Sequence, residues 1–176
     1  MSVESRFSEN ELFKLTNTPY IVGAAMVFSG SSGLATIKEM YANAKAFLMG
    51  AKKFPDNEII TGILPNMEDY EAVREQTKAF QEKAKVIFKE RGINSPEAMQ
   101  AYAKESVNEI KLLLAKKATE AEALEYKEWI LSIAENVAKA AKEGGFLGFG
   151  GELVSGNEKA FYNEIAQILE MDATLE

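Results

Sequence analysis

The residues best suited to holding a ligand are Ser29-Gly30-Ser31-Ser32-Gly33, followed by Thr36 and Lys38. They open a predicted helix that begins near Leu34 and carries no acid before Glu39. A helix N-terminus exposes unpaired N–H groups and partial positive charge, which together favour an anion. Glycines let a ligand reach the backbone, and serines add donors. Ser31, Ser32, Gly33, Thr36 and Lys38 are therefore the candidate anion-binding residues. The Gly-x-x-x-x-Gly-Lys spacing of a phosphate loop is missing. A plain serine cap with glycines for the turn explains the same residues without a ligand.

The second unusual stretch is Lys142-Glu-Gly-Gly-Phe-Leu-Gly-Phe-Gly-Gly-Glu-Leu-Val-Ser155. Gly144, Gly145, Gly148, Gly150 and Gly151 would each cost roughly 1 kcal/mol against alanine inside a helix. A dinucleotide fingerprint does not fit, because no strand precedes these glycines and the third is misplaced. The stretch reads better as a helix ending, with Gly145 just past the last turn and Phe149 and Leu153 tucked onto the bundle. Phe146, Leu147 and Phe149 exceed what a hinge needs, so they are the candidate contact residues for another protein or a second copy.

Other chemistry is limited by what the chain lacks. It has no cysteine and no histidine. That excludes disulfides, thiolate or histidine metal ligands, and Ser–His or Cys–His nucleophiles. Acid–base work would fall to Glu, Asp, Lys or Tyr with shifted pKa values, which points away from an enzyme. Helical bundles hold di-metal centres through Glu-x-x-His pairs, so neither a metal nor a cofactor is expected. Glu71, Glu75, Glu82, Glu135 and Glu143 fall on predicted solvent faces, and Lys78, Lys85 and Lys89 form a solvated strip. Tyr70, Phe80, Tyr102, Tyr126 and Trp129 recur at helical spacing and read as core. A pocket among them for a flat or lipid-like ligand is the alternative use.

The net charge of −7, with arginine only at positions 6, 74 and 91, is the wrong balance for nucleic acid or an anionic membrane. The first residues lack a signal pattern, and Tyr20–Phe28 is too short to span a bilayer. An acidic cytoplasmic protein is expected.

The elements that must position these residues are helices. Acidic positions are almost all Glu, a helix former. The pattern predicts helices over 9–15, 19–28, 34–54, 67–91, 96–117, 120–143 and 156–170, with a short turn between Glu58 and Pro65. Ser8-Glu-Asn-Glu11, Thr119-Glu-Ala-Glu122 and Ser155-Gly-Asn-Glu158 have capping-box spacing. Thr18-Pro19 and Ser95-Pro96 read as a cap followed by a first-turn proline. Acids cluster at predicted starts and lysines at predicted ends, as the helix dipole favours. The fold expected is all-α, one domain over 1–176, in which four long helices (34–54, 67–91, 96–117 and 120–143) form an antiparallel bundle and the shorter ones close or fill it.

Lys142–Gly151, with Val154, Ser155 and Glu158, resembles the C-terminal ending of a family of small uncharacterised bacterial helical proteins. The similarity extends to Thr18-Pro19-Tyr20 and to the Trp129–Ala134 segment. It implies a bacterial origin and an intact domain, and it carries no activity. Three functions are thus expected, in this order. The first is a non-enzymatic module that works by protein contact or self-association. The second is a binder of a small molecule or anion at the Gly30–Lys38 helix entry or in a core pocket. The third is an enzyme using Glu or Lys.

Overall fold

The computed structural model describes residues 3–30, 42–65, 69–142 and 154–175, apart from the side chains of residues 70, 72, 76, 77, 80, 81, 84, 141 and 142. Its elements in order are α1 (Val3–Arg6), α2 (Glu9–Ser29), α3 (helical residues 42–48), α4 (Gly50–Lys53), α5 (Glu58–Ile63), α6 (Tyr70–Glu90), α7 (Pro96–Lys117), α8 (Glu120–Lys142) and α9 (Gly156–Leu169). No strand occurs among the described residues, and the protein is an all-α bundle. Local chemistry sets most helix starts. Ser8 and Ser155 complete capping boxes with Glu11 and Glu158. Thr119 and Glu122 exchange the same reciprocal bonds at the start of α8. Ser95 caps α7, with Pro96 just inside.

One expected boundary is wrong. The separate helices 9–15 and 19–28 are a single helix, α2, that runs through Pro19. Thr18 is not a cap: its hydroxyl donates to the Lys14 carbonyl inside the helix. A proline in a helix interior removes one N–H and leaves the carbonyl four residues earlier without its partner, at a cost of about 3 kcal/mol. Here that carbonyl belongs to Leu15, and the Tyr126 hydroxyl from α8 donates to it at 2.5 Å. Tyr126 and Leu15 are both fully buried. The bond that proline forbids within α2 is replaced from a neighbouring helix.

The bundle expectation holds, but its membership changes. α2 is the inner element, packed against α7, α8 and α9, and α7 and α8 also pack on α9. Ile21, Val22, Ala25, Met26 and Val27 of α2 are buried, which suits a segment with no polar face. The expected stripes of α7 (Met99, Ala103, Val107, Ile110, Leu114) and α8 (Tyr126, Trp129, Ile130, Ile133, Val137) are buried as well. Lys104 pairs with Glu164 and Lys111 with Glu170, so α7 and α9 run parallel.

The expected helix 34–54 is interrupted at Met49 in its described part, and its inward stripe is shifted. Ala44 is exposed, whereas Asn43, Gly50 and Phe54 are buried. Trp129 explains the shift. Its indole nitrogen lies 2.5 Å from where a Cβ on Gly50 would stand, so no other residue fits there. Phe47 stacks on the same indole at 5.3 Å, with Tyr20 edge-on to Phe47.

At the N-terminal end, Arg6 clamps α1 to α8. Its two terminal nitrogens donate to both Glu122 carboxylate oxygens, at 2.6 and 2.8 Å. Phe7 is buried beneath Arg6 and Lys117. The Arg6 hydrogen bond, with help from the Thr119 N–H and hydroxyl, pulls the Glu122 carboxyl down to about 2.

Candidate functional site

Steps of three and four residues place Asn10, Phe13, Lys14, Asn17 and Thr18 on one largely polar stripe of α2 beside its apolar face. On α7, Tyr102, Glu105, Ser106 and Glu109 form a second stripe with the same helical spacing. Ile87 and Arg91, one turn apart at the end of α6, supply a third wall. These three stripes enclose a cleft of about 180 Å³.

The rim of the cleft is charged and the floor is neutral. Lys14 of α2 pairs with Glu109 of α7 at 2.9 Å. Arg91 pairs with Glu105 at 2.7 Å, and its guanidinium lies 5.1 Å from the centre of the Tyr102 ring. The hydrogen bond to Glu105 raises the Arg91 pKa further above its ordinary range. All four rim side chains are between two fifths and just over half exposed, so each ion pair contributes little, about 0–1 kcal/mol. Phe88 meets Tyr102 edge-on, and the Lys83 ammonium sits 4.0 Å from the centre of the Phe13 ring. These contacts hold the C-terminal half of α6 over the cleft.

Asn17, Thr18 and Ser106 are buried in the floor. The Asn17 amide nitrogen donates to the Tyr102 hydroxyl at 3.2 Å, and its carbonyl oxygen has no partner. Turning the amide over would strand the nitrogen instead, so one of its polar atoms is unsatisfied in either orientation. Leaving such an atom without a partner costs about 1–3 kcal/mol.

Three other buried polar atoms share that condition: Asn43 Oδ1, Trp129 Nε1 and Glu158 Oε1. Each is pressed against a glycine, namely Gly23, Gly50 and Gly30 respectively. Those sites are filled by backbone. Asn17 differs because it lines an open volume.

The expected anion-binding residues Ser31, Ser32, Gly33, Thr36 and Lys38 lie outside the described residues. So do the expected contact residues Phe146, Leu147 and Phe149. The flanks of these two stretches do meet. The Glu158 carboxylate lies against Gly30, and its other oxygen accepts from the N–H and hydroxyl of Ser155. Gly30 and Ser155, which flank the two stretches singled out in the sequence, therefore meet at one buried carboxylate, that of Glu158.

Tyr102 was expected in the core and instead forms part of the cleft, half-buried. Asn17 was missed. The available signal was an amide between Thr16 and Thr18, at the head of a mostly apolar stretch that runs to Val27. Among the described residues, no group of three or more Asp or Glu side chains could hold a metal ion, and no helix is long and apolar enough to cross a membrane. Comparison with known proteins finds no matching family model, no curated relative and no similar solved structure.

Proposed function

We propose that the protein binds a small polar molecule in the cleft between α2, α7 and the end of α6. One observation carries this reading: Asn17, whose buried carbonyl has no partner, is among the residues that line an open volume. Binding pockets place a few polar groups on otherwise apolar walls in this way. The cleft is small beside the roughly 300–1,000 Å³ of drug-sized sites. It is close to an engineered cavity of about 150 Å³ that takes benzene, so its occupant is of about that size. The aromatic walls, Phe13 and Tyr102, are partly covered by Lys83 and Arg91, which fits a polar guest better than a lipid-like one.

Protein contact, the function expected first, rests on Phe146, Leu147 and Phe149. The exposed Phe28, Met49, Val86, Leu112 and Leu124 are spread over different parts of the chain, and single exposed apolar residues do not define an interface.

Amide NMR titration with a panel of small polar metabolites tests the proposal. Binding should move the signals of residues 14–18 and 102–109. A panel that leaves all of them unmoved contradicts it.

A further inference from the structure

The turn that joins α6 to α7 holds a modification site. We infer that Asn94 deamidates spontaneously, through attack of the Ser95 backbone nitrogen on its side-chain amide, a reaction independent of the cleft.

The turn presents both reacting groups. The Gly92 N–H donates to the Lys89 carbonyl at 3.3 Å and the Ile93 N–H to the Phe88 carbonyl at 2.9 Å, which ends α6, and Ile93 packs against the core. Asn94 follows, exposed and outside any helix. Ser95 caps α7 with its hydroxyl, which accepts from the Ala98 N–H at 3.2 Å. The caps Ser8, Thr119 and Ser155 each have their own N–H held by a carboxylate three residues on, from Glu11, Glu122 and Glu158. In α7 that place belongs to Ala98, which offers no acceptor. The Glu97 carboxylate turns to its own N–H and to the Ser95 hydroxyl instead. Among the described residues, no hydrogen bond holds the Ser95 N–H. An N–H bound within a structure must first break that bond to react, and this one need not. Every other described asparagine lies inside a helix except Asn57, which is fully buried and held by hydrogen bonds.

The Ser95 N–H loses its proton to solvent and the nitrogen bonds to Asn94 Cγ, an attack that the chain itself makes intramolecular. The bond from Cγ to the amide nitrogen breaks, and a solvent proton carries the departing group off as ammonia. Water then opens the five-membered succinimide at either carbonyl, leaving an aspartyl or an isoaspartyl residue. Either product adds one negative charge to the net −7. That charge lies just ahead of the α7 N-terminus, where the helix dipole favours it. The isoaspartyl form also inserts one backbone carbon between Arg91 and α7.

The test follows the full chain by mass spectrometry during incubation at mildly alkaline pH, beside a synthetic peptide spanning residues 92–98. Position 94 should gain one dalton before Asn57 or any asparagine in a helix, and an isoaspartyl-specific methyltransferase should then label the protein. Asn94→Gln should abolish both signals. Ala98→Glu, which supplies the missing carboxylate for the Ser95 N–H, should slow the reaction about fivefold. If Asn94 stays an amide, the site is wrong, and conversion of the peptide alone would show that the fold shields it. If Asn57 or a helical asparagine converts first, the site is equally wrong. An unchanged rate in Ala98→Glu, with the new Glu bound to the Ser95 N–H by NMR, would overturn the role of the unheld N–H.

Discussion

α2 has two sides, and each carries a buried polar group at nearly the same height. Toward α8, the Tyr126 hydroxyl meets the Leu15 carbonyl that Pro19 leaves free. Toward α7, Asn17 meets Tyr102 with one amide atom and nothing with the other. The first side is closed by large rings: Tyr126 and Trp129 pack edge-to-face at 5.5 Å, and both are fully buried. The second opens into the cleft. A buried polar group whose partners are complete belongs to the fold, while one left incomplete beside an open volume is the group that the proposed guest would complete.

The closed side should give the largest effects. Trp129→Ala should cost about 3–5 kcal/mol in urea unfolding, because the indole fills a space shaped by Gly50, Phe47 and Tyr126. A loss below about 1 kcal/mol would show that this side is not the tight one.

Tyr126→Phe sharpens the contrast. It keeps the ring and strands the Leu15 carbonyl, so about 1–3 kcal/mol should be lost. The penalty should shrink in a Pro19→Ala background, where residue 19 regains an N–H for that carbonyl. An equal penalty in both backgrounds would show that the hydroxyl does not substitute for the bond removed by proline.

The ion pairs follow the same division. Glu122, largely buried beside Arg6, has its pKa depressed from about 4.5 to about 2. A depressed carboxyl stabilises the fold above its unfolded pKa, and the contribution fades as pH falls from about 4.5 toward 2. Acid unfolding of wild type should therefore steepen in that window, and Glu122→Gln should flatten it while lowering neutral-pH stability by roughly 1–3 kcal/mol. Arg91→Gln on the open side should change stability by less than about 1 kcal/mol. Equal losses for the two variants would remove the distinction.

The sequence shows helix ends more readily than helix partners. Ser8, Ser95, Thr119 and Ser155 each act within three or four residues of themselves, so their spacing alone is informative. Pro19 misleads because the group that makes it tolerable, the Tyr126 hydroxyl, comes from 111 residues beyond the Leu15 carbonyl it serves. The stripe expected over 34–54 is misjudged for a related reason: Gly50 is set by the bulk of Trp129 on another helix, not by periodicity. The cleft is less legible still. Asn17, Tyr102 and Arg91 come from separate stretches, and only packing brings them together. Asn17 and Thr18 were visible as polar residues in an apolar run, but nothing local separates an amide that pairs inside the core from one that does not.

The most direct test of the contrast is urea unfolding of Asn17→Leu beside Tyr126→Phe. If Asn17 belongs to a ligand site, removing its unsatisfied carbonyl should leave stability within about 1 kcal/mol of wild type or raise it, with an unchanged slope. A loss of about 2 kcal/mol or more, matching Tyr126→Phe, would place Asn17 among the groups that hold the fold together and would contradict the account.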